Sequence, residues 1–422
     1  MRPTDGGRAG WSVAIWVVGV ALVARVAMVW VGPPLLSDDI YRYVHDGYVI
    51  AVEGRSPYAT APADHNPLGL GVNNPDLVTI YQPLSQAVFA LIAWVAADER
   101  AFRLAFALID TATVGLLAGV LLGSGRSAWW AAVYGWHPLV IAEVAWSGHQ
   151  DALGLGLMAA AVALGERAAR DGRSARWWVA TGCGATLAAA CAVKPVALPV
   201  AALIVAAWAR SSGWREASRQ AAGAIAGGVA VLMPLYLWPL TLDGGYGGLG
   251  ATVERFVQKW ASNGSIHPLI EWLTGAKKSA DLACGVGLGL ALIGLLWRVR
   301  AGSIAACSIG FFLAALLLSS TVHPWYLLWP LVLVPLARGG VGSAVALAWS
   351  VVIGLAYTAI ARHAGGGPYQ PYAWAVGLEY AVVYGTLAVA AAMAWRPGHQ
   401  RMRTTNDCIG SSKTFSPDSS TM

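Results

Sequence analysis

Four short stretches of the sequence contain the residues best suited to acid–base and phosphate chemistry. The first, "SDDIYRYVHDG" (37–47), has adjacent aspartates, Asp38 and Asp39, directly after a long apolar run. A carboxylate at a water-accessible lip can act as a general base that takes a proton from a hydroxyl group. The same acids are also typical of ordinary helix capping, because Ser37 is a good N-cap and acids suit the first turn of a helix.

The other three stretches lie at the ends of later apolar runs. "SGHQD" has His149 two residues before Asp151, which a polar helix start would explain equally well. Lys194 stands alone in "AVKPV", where it could extend toward lipid headgroups or hold a phosphate as a point charge. The aromatic residues of "TVHPWYLLWP" (321–330) are typical of a membrane-interface belt, but such a belt does not explain His323.

The segments that must position these residues are strongly apolar. Of the 422 residues, 57% are hydrophobic and only 12% are charged, about half the charged fraction of a soluble domain. Apolar runs of roughly 17 to 22 residues recur along the chain, and each could cross the hydrocarbon core of about 30 Å as a helix. The sequence therefore predicts an all-α polytopic membrane protein with about twelve transmembrane helices. The predicted spans are 11–32, 101–122, 127–146, 150–167, 177–192, 195–210, 219–238, 280–299, 302–319, 325–337, 342–360 and 373–394.

The positions of the arginines predict which connectors share a side of the membrane. With residues 1–10 in the cytoplasm, nearly every cytoplasmic connector is basic, as the positive-inside rule requires. The transmembrane domain is expected over 11–396, with a first outer loop at 33–100 and a second at 239–279. The polar tail, 397–422, is expected to be cytoplasmic and disordered.

One segment of the first outer loop does not fit a simple count of spans. Counting "PLSQAVFALIAWVAA" (83–97) as a span would move the arginine-rich connector 165–178 to the outer side. We therefore expect 83–97 to form a re-entrant or interfacial helix. In this topology six of the eight histidines lie on the outer side, although the topology rests on Arg and Lys alone. They are His45, His65, His149, His267, His323 and His363.

Several function classes can be weighed from the sequence. The net charge of +6 does not predict nucleic-acid binding, because the arginines are scattered among short connectors. The five cysteines form no disulfide or metal-ligand pattern, and there is no Walker loop. A transporter or lipid flippase remains an alternative to an enzyme, since many carriers have similar helices and basic connectors. A scaffold without catalysis is a third alternative, which the acidic first outer loop disfavours.

The motifs that carry chemistry occur in an order that resembles a known class of enzymes. They are "SDDIYRYVHDG…EGRSPY", "YQPLSQ", "HPLVIAEVAWSGHQDAL", "KPVALP" and "VHPWYLLWP". Over roughly residues 20–335, this set resembles the membrane glycosyltransferases of the GT-C fold class. The likeness is to bacterial polyprenyl-phosphate-mannose-dependent mannosyltransferases, including those related to family 87. It extends more distantly to the catalytic subunit of the first mannosyltransferase of GPI-anchor synthesis.

This resemblance implies an enzyme of the plasma membrane that moves a sugar, most typically mannose, from a polyprenyl-phosphate donor to a glycolipid or glycan acceptor at the outer face. Asp38 matches the family acid that precedes a tyrosine, here Tyr41, by three positions, and is the first choice for the catalytic base. Asp39 is the alternative. Donor phosphate contacts are expected from Lys194, His323 and Tyr326, and sugar or acceptor contacts from Tyr41, Arg42, His149, Asp151, Gln82 and Lys259.

The expected chemistry is a direct displacement. A departing phosphate needs a cation, and the attacking hydroxyl needs a base across the anomeric carbon, so the displacement would invert that centre. The phosphate ester supplies the energy, and no nucleotide cofactor is required. The acids are adjacent here, whereas the GPI enzymes have a DxD pair, so a divalent metal is possible but no metal ligand is assigned.

Overall fold

The computed structural model of the protein describes residues 5–170, 173–259 and 261–395. Within these ranges the secondary structure is helical, with isolated β-bridges and no β-strand. Eight of the described helices are long and apolar enough to span a membrane. The predicted all-α polytopic membrane fold is confirmed. The tail predicted to be disordered, 397–422, lies outside the described residues.

Ten of the twelve predicted spans coincide with apolar helical segments, some of which include a short 3-10 turn. Eight have full span length: Ala9–Val29, Glu99–Gly123, Ala152–Arg170, Pro195–Ser212, Trp214–Thr241, Lys277–Arg298, Val341–Ala364 and Ala373–Trp395. Two are shorter apolar helices: Trp177–Cys191 and Ile304–Leu318. The helix Pro83–Val95 is also short. Its 13 residues give a length of about 20 Å, which is less than the thickness of the hydrocarbon core. This length fits the predicted re-entrant or interfacial helix.

Two of the predicted spans are not continuous helices, and here the prediction was wrong. The segment predicted over 127–146 consists of short helices, Ala128–Ala131, Ala132–Gly135 and Pro138–Ile141, and a π-helical turn, Ala142–Trp146. Pro138 explains the main break, because it disfavours helical backbone at the residue before it, and His137 is extended. The segment predicted over 325–337 is short helices followed by turns, and it includes Pro330 and Pro335.

The connectors that contain arginines contact one another at one end of the helices. Arg126 donates hydrogen bonds to the carbonyls of Leu336 and Ala337, at 2.9 and 3.1 Å. Glu166 accepts a hydrogen bond of 2.7 Å from the backbone N–H of Ile304, at the start of the helix Ile304–Leu318. The Glu166 contact satisfies an N–H at a helix start that has no partner within its own helix, and the Arg126 contacts satisfy carbonyls of the turns that follow the helix Leu328–Leu331. They join four of the connectors that the arginine pattern assigned to a common side.

The acid pair is presented by the helix Asp39–Glu53, which we call the acid helix. Its buried face packs against the helix Pro83–Val95, where the rings of Tyr43 and Phe89 stack with centroids 4.8 Å apart. Gly47 allows the two backbones to approach closely, because a Cβ atom there would lie 2.5 Å from the carbonyl oxygen of Phe89. The acid helix is therefore fixed in position along much of its length.

A buried ion pair joins the first two span-length helices. Arg25 donates hydrogen bonds to Asp110 Oδ2 from Nε and Nη2, at 2.9 and 2.6 Å, and Tyr134 donates to Oδ1 of the same carboxylate. The remaining guanidinium nitrogen donates to the carbonyls of Ala21 and Gly135. Both charges are completely buried, so each is costly without its partner.

We expect Asp110→Leu to lower the free energy of unfolding by about 3 kcal/mol, because it leaves the Arg25 charge buried and unpaired. Thermal unfolding of the purified protein in detergent measures the loss. The double variant Arg25→Met/Asp110→Leu is expected to recover part of it, since neither charge then remains. Equal melting temperatures for the wild type and Asp110→Leu would contradict this account.

Candidate active site

A cavity of about 880 Å³ opens beside the start of the acid helix. Its wall combines the start of that helix with the loop 73–82, the turn at 193–195 and the segment 323–326. Most of the residues predicted for the site lie together here. Those that line the cavity are Asp38, Asp39, Arg42, Gln82, Asp151, Lys194, His323 and Tyr326.

The two aspartates turn toward an asparagine that the sequence did not single out. Asp38 occupies the N-cap position of the acid helix, but its side chain makes no capping hydrogen bond. Instead Asn73 donates from Nδ2 to Asp38 Oδ1 at 2.7 Å and to Asp39 Oδ1 at 2.8 Å. The side chain of Asp38 is therefore not the cap, and Asp39 lies in the first turn of the helix; the two carboxylates share one amide at the cavity wall.

The pKa of Asp39 is changed by its surroundings in the cavity wall. Its pKa is raised to about 6, chiefly by burial, with a contribution from the negative charges of Asp38 and Asp151, while Asn73 and Lys194 act in the opposite direction. Its side chain retains 22% exposure, so it remains accessible from the cavity. Asp38 is the more exposed of the pair. A carboxylate with a pKa close to the working pH meets the requirement for a general base.

Arg42 lines the cavity, but its guanidinium group holds the loop that carries Asn73. Nη1 donates to the carbonyl of Leu77 at 2.8 Å, and Nη2 donates to the carbonyls of Asn73 and Asn74 at 2.7 and 2.9 Å. This residue is 5% exposed. Sugar or acceptor binding by Arg42 stays a prediction, whereas its support of the loop follows from these contacts.

Lys194 supplies a positive charge to the same cavity. Its Nζ atom lies 2.9 Å from Asp151 Oδ1 and 4.4 Å from the centre of the Tyr326 ring. Trp329 donates from Nε1 to Asp151 Oδ1 at 2.5 Å, so the carboxylate is held on two sides. The lysine side chain is 26% exposed, which leaves its charge available to an anion in the cavity.

A stack of three rings connects the phosphate-binding candidates to the acid pair. The ring of Trp325 lies 4.4 Å from that of His323 on one side and 3.9 Å from that of His149 on the other. His149 Nδ1 in turn lies 3.9 Å from Asp39 Oδ2. Burial, together with the charge of Lys194, lowers the pKa of His323 to about 4, so this histidine is neutral at neutral pH. Lys194 is therefore the cation of this group, and His323 offers hydrogen bonding.

Two close contacts fix the segments that carry these histidines. The backbone of Ser262 pairs with the segment before His323, through Val322 N–H at 2.8 Å and the carbonyl of Ser320 at 3.1 Å. On the other side, Gly148 has φ of +73°, and a Cβ atom at this position would lie 2.3 Å from Cδ1 of Ile40 in the acid helix. The turn before His149 can approach the acid helix because residue 148 has no side chain.

The other predicted residues lie outside the central group. Gln82 lines the cavity and accepts a hydrogen bond of 2.7 Å from Tyr236. Tyr41 is half-buried and is not among the residues that line the cavity; Tyr43, two positions later, takes that place. His149 is completely buried behind Trp325 and does not line the cavity itself. Lys259 ends the helix Leu249–Lys259, and its side chain lies outside the described part of the structure.

Sequence reasoning missed Asn73, Trp325 as a ring stacked between two histidines, and Tyr369, which also lines the cavity. The run "VNNPD" (72–76) is a turn signal rather than a catalytic one, so its only usable hint was its place in the acidic outer loop. Within the described ranges, no group of three or more His, Cys, Asp or Glu side chains is arranged to hold a metal ion.

Comparison with known families supports the class of membrane glycosyltransferases for this protein. Residues 7–210, just under half of the chain, match the model of the MptA_B family, described as alpha-(1->6)-mannopyranosyltransferase, N-terminal domain. The resemblance predicted from the sequence motifs is confirmed. Searches of curated proteins and of solved structures returned no match for the chain.

Proposed function

We propose that the protein transfers mannose from a polyprenyl-phosphate donor to a glycolipid or glycan acceptor at the outer face of the plasma membrane. The observation that carries this proposal is the meeting of an acid pair and a lysine in one cavity of about 880 Å³. Asp39 has the pKa of a general base, and Lys194 can face an anion. The match of residues 7–210 to a mannosyltransferase family model favours mannose as the sugar.

The proposed reaction is a single displacement. Asp39 takes the proton from the acceptor hydroxyl as the hydroxyl oxygen forms a bond to the anomeric carbon, whose configuration is inverted. The bond between the anomeric carbon and the phosphate oxygen breaks, and its electron pair leaves with the polyprenyl phosphate. Lys194 stabilises the developing negative charge, with Tyr326 and neutral His323 as hydrogen-bonding partners of the phosphate. Asp38, the first choice from the sequence, takes the role of a neighbour that raises the pKa of Asp39.

The outer-face orientation is supported by the distribution of charge. The connectors that contact one another through Arg126 and Glu166 include the arginine-rich segments, and such segments favour the cytoplasmic side. The acid helix and the loop 73–82 belong to the connector after the first span. With the N-terminus in the cytoplasm, that connector faces outward, where polyprenyl-phosphate sugars would be used.

We expect the transfer rate to rise with pH through about 6 and to level off above it, because Asp39 acts as a base only when deprotonated and its pKa is about 6. Asp38→Asn removes a negative charge that raises this pKa, so its rate should reach the plateau at a lower pH. Initial rates between about pH 4.5 and 8.5 measure both profiles. If the rate of Asp38→Asn rises over the same pH range as that of the wild type, the proposed electrostatic coupling between Asp38 and Asp39 is contradicted.

The function is tested by incubating the purified protein with radiolabelled polyprenyl-phosphate mannose and glycolipid acceptors of defined mannose content. We expect a mannosylated lipid of inverted anomeric configuration. Asp64→Asn is a matched control, because Asp64 is an exposed aspartate of the same outer loop that does not line the cavity. Transbilayer movement of the donor in proteoliposomes, without any glycosidic product, would reject the proposal and favour a flippase.

A further inference from the structure

His149 and Glu143 are buried ionisable groups that the displacement itself does not use. Both are completely buried. His149 Nε2 lies 3.3 Å from Glu143 Oε2, and His149 Nδ1 lies 3.9 Å from Asp39 Oδ2. Neither ring nitrogen, nor Glu143 Oε2, has a hydrogen-bond partner of good geometry in the described part of the chain. The imidazole thus lies between the proposed base and a second carboxyl group.

The local backbone holds this arrangement. Glu143 lies in the π-helical turn Ala142–Trp146, a type of turn that is frequent at functional sites. The backbone N–H of His149 donates to the carbonyl of Glu143 at 2.9 Å, which ties the two residues together. The imidazole face is covered by Trp325 at 3.9 Å, so the ring cannot easily turn away from Asp39. The positions of Glu143 and His149 are therefore fixed by a backbone hydrogen bond and by ring stacking.

We propose that His149 is a positioning residue for Asp39, and that Glu143 holds its imidazole in the tautomer whose Nδ1–H points at the Asp39 carboxylate. This rests on the proposed function of Asp39 as the base. Glu143 accepts a hydrogen bond from Tyr357 at Oε1, and a buried carboxyl group between neutral neighbours is stable as the neutral acid. Its proton at Oε2 can be donated to Nε2, which fixes the tautomer.

Each oxygen of the Asp39 carboxylate faces a different N–H donor. Asn73 donates to Oδ1 at 2.8 Å, and His149 Nδ1–H faces Oδ2 across 3.9 Å. A shortening of about 1 Å on substrate binding would bring the second contact to hydrogen-bond length, as is common for catalytic hydrogen bonds. Each carboxylate oxygen keeps a further lone pair for the acceptor hydroxyl.

The Asp39 titration depends on its other neighbours as well as on His149. Asp38 and Asp151 raise the Asp39 pKa, while Lys194 and Asn73 lower it. The tyrosines that interact electrostatically with Asp39 are Tyr43, Tyr81, Tyr326 and Tyr369. All of these groups are unchanged in variants of His149 and Glu143, so a shift in such variants reports on these two residues.

The test is an infrared titration of the Asp39 carboxyl band, assigned by its loss in Asp39→Asn. We expect a wild-type midpoint of about 6, and an upward shift of about half a pH unit in His149→Phe, which keeps a stacked ring but cannot present an N–H to the carboxylate across 3.9 Å. Glu143→Gln should leave the midpoint unchanged, because its amide can donate to Nε2 and still accept from Tyr357. Glu143→Leu should shift it upward, as in His149→Phe. The acid limb of the transfer rate should move with the midpoint.

An unchanged midpoint in His149→Phe would overturn the proposal. So would an equal shift in Glu143→Gln and Glu143→Leu, because Glu143 would then act through its charge rather than as a donor. If His149→Phe does not give a monodisperse folded protein, the two Glu143 variants keep the test decisive. The titration needs no sugar donor, so a lack of mannose transfer would reject the proposed function without deciding this inference.

Discussion

Asp39→Asn is expected to lower the rate of mannose transfer by about 10²- to 10⁴-fold, the usual contribution of a general base. The substitution preserves the shape of the side chain and its contact with Asn73, but it cannot accept the proton of the attacking hydroxyl. Burial raises the pKa of Asp39 to about 6, so this carboxylate is both ionised and basic enough near neutral pH. Initial rates with polyprenyl-phosphate mannose measure the effect.

The controls for this prediction separate the two neighbouring acids. Asp38→Asn should retain most of the rate at high pH, and Asp64→Asn should behave as the wild type. Thermal unfolding in detergent should show the same melting temperature for all three variants. Loss of transfer in Asp38→Asn, with full activity in Asp39→Asn, would assign the base to Asp38 instead. Full activity in both would reject a carboxylate base in this cavity.

Lys194→Met is expected to lower the transfer rate by about 10²- to 10³-fold, because it removes the cation that faces the leaving phosphate. His323 cannot replace that charge, since its pKa is lowered to about 4. In the wild type, Lys194 Nζ lies 2.9 Å from Asp151 Oδ1. The single substitution leaves this buried carboxylate without its ion-pair partner, which should lower the melting temperature. Rates and melting temperatures must therefore be measured together.

The double variant Lys194→Met/Asp151→Asn separates these two effects. Without the buried charge, the melting temperature should return toward that of the wild type, while the transfer rate stays low. Recovery of the rate in the double variant would show that Lys194 acts only by neutralising Asp151. Lys194→Arg should retain part of the rate, because it keeps the charge but not the compact geometry of the ammonium group.

The sequence was sufficient to predict the membrane fold and a set of residues that lie together around one cavity. Hydrophobic length predicted the eight helices of span length and two shorter apolar helices, because a helix that crosses a bilayer must be apolar along its whole length. The arginine pattern alone predicted which polar residues at the ends of those spans share a side of the membrane. Asp39, Lys194 and His323 were predicted to lie on the same side. The cavity brings the same three residues together.

The remaining features depend on interactions that hydrophobicity does not report. The segment 128–146 is as apolar as a span, yet Pro138 and the π-helical turn Ala142–Trp146 break it. The role of Arg42 could not be predicted, because the carbonyls that it holds lie more than thirty residues away in the loop 73–77. A choice between Asp38 and Asp39 required the relative burial of two adjacent carboxylates, which a sequence does not contain.

The absence of a side chain at Gly148 has a consequence for how this site can vary. Any Cβ atom there would meet Ile40, one residue beyond Asp39 in the acid helix, and the positive φ of +73° adds a second penalty for other residues. In a saturation library selected for transfer, position 148 should therefore accept glycine almost exclusively, although it contributes no chemistry. Ile40→Ala removes the nearest atoms, so it should be the first change that lets position 148 accept residues other than glycine. The residues at positions 40 and 148 should therefore covary.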